Sequence, residues 1–108
     1  MIDRESIDAF GYVIASKMLV NNKLPVKYMY REQGKGQDSG WRFFCGDEDQ
    51  DYVDNADNLA IFDIKTILAI DGSIEPYLKE NPLVGFERDD ADEPFCRIEG
   101  FGLEVDDK

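Results

Sequence analysis

Two runs of alternating side chains, VKYMYRE (Val26 to Glu32) and WRFFC (Trp41 to Cys45), flank a glycine-rich connection, GKGQDSG (Gly34 to Gly40). A period of two is strand geometry, because successive side chains leave a strand on opposite faces. Three glycines let the connection adopt positive φ, so the two runs are expected to pair as an antiparallel hairpin. In the first run Val26, Tyr28 and Tyr30 alternate with Lys27, Met29 and Arg31. In the second, Trp41, Phe43 and Cys45 share one face and Arg42 and Phe44 the other. A hairpin with so much aromatic surface must be covered on at least one face, and that requirement limits the fold more than any other feature.

The rest of the chain supplies the cover. FGYVIAS, Phe10 to Ser16, is β-branched and aromatic and suits a buried strand. KMLVNNKLP makes one short helical turn before Asn21, Asn22 and Pro25 break it. After Gly46 the period changes. Asp47 is placed as N-cap with Gln50 three residues on, and Glu48 and Asp49 fall in the first turn, where the helix dipole favours negative charge. Tyr52, Ala56 and Leu59 continue at helical spacing. LAIFD reads as a brief strand, and Asp63 as the cap of a helix through IKTILAI that turns Ile64, Ile67 and Leu68 inward and ends at Gly72. SIEPYLKEN is a further short helix capped by Ser73, with Pro76 tolerated in its first turn. VGFER and PFCRIEG are two more strands around the acidic turn DDADEP, and the tail LEVDDK is placed as a frayed or edge segment. The expected architecture is α+β: a mostly antiparallel sheet of about five strands with short helices packed on one face. At 108 residues, without linker or repeat, the chain is expected to be one domain spanning 1–108.

Charge divides the chain. Residues 1–46 carry 7 basic and 5 acidic side chains, +2, and residues 47–108 carry 5 basic and 19 acidic, −14, which together give the net −12. With 43% of residues hydrophobic there is enough apolar material for a core despite the acids. Such a surface repels phosphate backbones, so no nucleic-acid partner is expected, whereas a cationic partner is steered toward the acidic half. Solubility alone is the plainer use of the same charge. The N-terminus, MIDRESIDAF, lacks a basic region followed by a long apolar run, and no stretch is long enough to cross a bilayer; a cytoplasmic protein without membrane partner is expected. Cys45 and Cys96 stand 51 positions apart among apolar neighbours, and both are expected as buried free thiols.

Without histidine, Ser-His-Asp and Cys-His nucleophile systems and His-bearing zinc sites are excluded. DEDQDYVDNADN has acids at positions 1, 3 and 5 of a calcium loop, but Tyr52 replaces its glycine and Asn58 its bidentate glutamate, so no EF-hand is present. GKGQDSG lacks the ending of a P-loop. No cofactor or metal is expected. Adjacent carboxylates arise by chance in a chain with 24 acids, so none is singled out as catalytic. Core packing accounts for Trp41, Phe43, Tyr28 and Tyr30. If helices cover only one face, Met29, Arg31, Arg42 and Phe44 are expected on the free one, where arginine and aromatic side chains suit a protein partner.

VIASK, PVKYMYRE, DSGWRFFCGDED, NADNLAIFDIKTIL and GFERD, in this order from about Tyr12 to Asp90, resemble immunity protein family thirty-three. The resemblance implies a small bacterial cytoplasmic domain that binds and neutralises a toxin without catalysis. The acidic half suits a toxin with a basic surface, such as a nuclease whose substrate groove it would occlude as a phosphate mimic. The expected contact residues are Asp47, Glu48, Asp49 and Asp51, flanked by Arg42 and Phe44. A small regulatory or scaffold domain that binds another protein is the alternative reading; a carboxylate enzyme or sugar-binding module, which would need a pocket with convergent acids, is the third.

Overall fold

The computed structural model describes residues 10–101; the expectations for the first nine residues and for LEVDDK lie outside the described residues. The strands are β1 (Tyr12–Ser16), β2 (Tyr28–Arg31), β3 (Asp38–Phe44), β4 (Leu59–Asp63), β5 (Val84–Glu87) and β6 (Cys96–Arg97). The α-helices are α1 (Lys17–Asn22), α2 (Gln50–Asp54) and α3 (Ile64–Ile70), with 3-10 turns at Ala56–Asn58 and Gly72–Tyr77. One six-stranded sheet has the order β4-β1-β3-β2-β5-β6. All neighbours pair antiparallel except β1 and β3, which run parallel. The fold is therefore α+β with a mostly antiparallel sheet, and LAIFD supplies the strand beyond the expected five.

Strand β3 is central and buried along its length: every residue from Ser39 to Phe44 is buried, which follows from its having a strand on each side and large side chains packed on each face. It inserts between β1 and β2, and so places β1 parallel to itself. The core lies on one face of the sheet. Val13, Ala15, Met29, Trp41, Phe43 and Phe86 pack there against Leu19 of α1, Ile64 and Ile67 of α3, and Ile74 and Leu78 at the second 3-10 turn. Each buried valine, leucine, isoleucine, methionine or phenylalanine among them contributes about 1.5–3 kcal/mol. Asp63 caps α3 as expected, accepting from Lys65 N at 2.9 Å. The next turn is capped by Asp71 rather than Ser73, because Asp71 Oδ1 accepts from both the amide and the hydroxyl of Ser73.

The register corrects one expectation. Met29 stands opposite Phe43 and Tyr30 opposite Arg42. Met29, fully buried, therefore joins the core, and the face shared with Arg42 and Phe44 carries Tyr28 and Tyr30 instead. A methionine fills irregular core space, whereas tyrosine keeps its hydroxyl near water at a half-covered face. Cys96 is also corrected. Cys45 is buried in the core, but Cys96 lies exposed on the two-residue strand β6.

Candidate functional site

The acidic segment leaves β3 through Gly46, whose φ of 96° is a backbone conformation that side-chain-bearing residues rarely adopt. The turn allows Glu48 to fold back over the end of the strand. Its Oε2 accepts from the hydroxyl of Ser16 and from Cys45 N at 2.9 Å, and its Oε1 from Gly46 N at 2.9 Å. Burial works to raise the Glu48 carboxyl, but these hydrogen bonds outweigh it and hold the group below the usual glutamate range. Ser16 in turn caps α1, accepting from Leu19 N. The cap of α2 is Asp49, which accepts from Tyr52 N at 2.9 Å, and not Asp47; Glu48, drawn inward, delays the helix by two residues. Helix α2 ends at Asp54, before Ala56 and Leu59 can extend an apolar edge. It is tied to α1 by Tyr52, whose hydroxyl accepts from Met18 N at 2.9 Å. The segment is thus fastened at its root by Glu48 and at its middle by Tyr52.

Beside it, on the sheet face opposite the core, lies an open groove of about 640 Å³. Tyr28, Tyr30 and Phe44 line it, with ring centroids 5.6–5.9 Å apart and Tyr30 stacked on Phe44. Burial, then the nearby Glu87, raises the Tyr28 phenol, and burial followed by Glu32 raises that of Tyr30, so both stay neutral. One wall holds Asp47, Glu48 and Val53, the other Glu87, Arg88 and Asp89, and Lys27 lies among them. Asp47, Glu87 and Asp89 are exposed. The Arg88 guanidinium is engaged elsewhere: it pairs with Asp71 at 2.8 Å, donates to Val26 O and Glu93 O, and lies 4.0 Å from the centre of the Phe95 ring.

Of the side chains expected at a contact surface, Asp47 and Asp51 are exposed, Asp49 is spent on its cap, and Glu48 faces the protein. Arg42 and Phe44 are only 9% and 6% exposed. Arg42 makes a two-pronged contact with Asp38 at 2.8 and 2.9 Å, which holds the Asp38 carboxyl below its usual range. Phe44 is brought to the floor of the groove, next to Asp47 on its wall. Sequence reasoning missed Glu87 and Asp89, which lie far away in the chain and reach the site through the pairing of Tyr28 with Glu87. Among the described residues no three Asp, Glu or Cys side chains converge in a way that would hold a metal ion. The buried Cys45 thiol, pushed up to about 11 chiefly by burial, stays protonated and is no nucleophile.

A family model described as the immunity protein Imm33 domain matches residues 13–99. No curated protein and no solved structure matches the chain.

Proposed function

The chain belongs to the Imm33 immunity-protein family, and on that footing we propose that it binds a cognate toxin through its acidic surface and neutralises it without catalysis. The observation that carries this reading is the segment from 47 to 57, which holds six acids and no base. Its Asp47, Asp51, Asp54 and Asp57 are exposed, and none enters an ion pair among the described residues. Carboxylates not neutralised by the protein's own cations are available to a basic surface, where they steer association and, once desolvated, slow dissociation. A toxin with a basic substrate groove, as a nuclease has, fits this charge. Asp47 and Asp51 are the residues we assign to contact, with Phe44 in the groove beside Asp47 and Arg42 bracing the same strand through Asp38. A general acid needs a raised pKa, and Glu48 in the groove is shifted the other way.

The test is co-purification with the product of an adjacent toxin frame, and then Asp47→Lys with Asp51→Lys. This pair spares the cap at Asp49. The double variant should keep its fold and lose affinity by at least about tenfold, with a weaker salt dependence. Unchanged affinity would move the contact surface elsewhere.

A further inference from the structure

The groove on the open sheet face carries more than charge. We infer that it is a receptor for an arginine side chain of a protein partner, with the guanidinium laid against the half-buried rings of Tyr28 and Tyr30, which the buried Phe44 backs, and paired with Asp47 on one wall and Glu87 or Asp89 on the other. Tyr28 and Tyr30, half-buried and packed on Phe44, present the exposed part of an aromatic cluster, and a planar, weakly hydrated guanidinium suits such a surface better than an ammonium does. Three exposed carboxylates line the groove, those of Asp47, Glu87 and Asp89, and the carboxylate of Glu48 lies beside them, turned to Ser16, Cys45 and Gly46. Against them stand Lys27 and Arg88, and the charge of Arg88 is already matched by Asp71 at 2.8 Å. Lys27 enters no ion pair among the described residues. The groove is therefore negative and aromatic together, the combination that attracts a cation carried on a flat group. The phenol oxygens of Tyr28 and Tyr30 add hydrogen-bond acceptors beside the rings.

The assignment deepens the toxin-binding reading and rests on it for the identity of the partner, though not for the chemistry of the groove. Titration with the peptide acetyl-Gly-Arg-Gly-amide, followed by backbone and aromatic NMR shifts at low salt, should move Tyr28, Tyr30, Phe44 and Gly46. The citrulline analogue, isosteric but uncharged, should not move them. Tyr30→Leu and, separately, Glu87→Gln should each weaken the arginine peptide by about tenfold, whereas Asp92→Asn, exposed but outside both the groove and the 47–57 segment, should leave it unchanged; two independent groove variants guard against one that misfolds. Equal shifts with citrulline, or shifts centred on residues 54–57 rather than on the rings, would overturn the assignment. The two readings separate in the toxin complex. If the toxin binds and both groove variants keep full affinity for it, the groove assignment fails and the immunity reading stands. If no toxin is captured and the peptide still binds at the rings, the groove stands and the immunity reading fails.

Discussion

Removing the Glu48 carboxylate tests whether the acidic segment is fastened to the core. In Glu48→Ala the fully buried Ser16 hydroxyl and the Cys45 amide both lose their acceptor, and each buried donor left without a partner costs about 1–3 kcal/mol. The Gly46 amide is exposed and turns to water at little cost. The expected loss is about 2–6 kcal/mol, a large part of the roughly 5–15 kcal/mol that holds a domain folded. Glu48→Gln, which keeps one carbonyl oxygen for Ser16 and Cys45, should lose only about 1 kcal/mol. Trp41, the single tryptophan and fully buried, reports unfolding by fluorescence in urea. At about 1–3 kcal/mol per molar urea the midpoint of Glu48→Ala should fall by at least about 0.7 M. Acidification supplies a second check. A carboxyl held below its ordinary range contributes stability that is fully present above the unfolded-state value of about 4.3 and is lost as the pH falls through the lower, folded-state value. The advantage of wild type over Glu48→Gln should therefore narrow below about pH 4. A Glu48→Ala midpoint within error of wild type, or strict additivity with Ser16→Ala in a double-mutant cycle, would refute the tether.

Other perturbations separate buried from surface interactions. Arg88→Met strands Asp71 in a pair whose side chains are 3% and 11% exposed, and should cost about 3–5 kcal/mol in urea unfolding, whereas Arg97→Met removes a surface pair with Glu80 and should cost under about 1 kcal/mol; equal costs would show that the burial is misjudged. Gly85→Ala would place a methyl 2.8 Å from the Phe101 ring and 3.1 Å from Ile98. It should destabilise by about 1–3 kcal/mol and speed proteolytic cleavage around residues 98–101. Thiol titration at pH 8 should find one reactive group in the native protein, Cys96, and two after denaturation; rapid modification of Cys45 in the native state would contradict its burial.

Much of the architecture could be read locally. The alternation in VKYMYRE and WRFFC marks β2 and β3, and Asp63 before IKTILAI marks the start of α3, because period and capping depend only on near neighbours. The position of β3 between β1 and β2 depends on pairing across the chain, which a local pattern does not encode, although a strand buried on both faces hints at a central place. Choosing the core face of β2 was harder still, since Tyr28, Met29 and Tyr30 are all apolar enough to face inward. In the acidic segment, charge concealed a difference of reach. Glu48 is the one glutamate among the six acids from 47 to 57, and its extra methylene lets it close on Ser16 while the aspartates around it cap α2 or meet water. Glu87 and Asp89 were out of view altogether, brought to the groove by the pairing of β2 with β5.

Because Met29, Trp41 and Phe43 point away from the groove, positions 47, 51, 87 and 89 contribute nothing to the packed interior. Their side chains are free to drift in charge and size from one descendant to the next at little thermodynamic penalty. The packed face and the proposed contact face thus lie on opposite sides of the sheet, so a change to one leaves the other largely undisturbed.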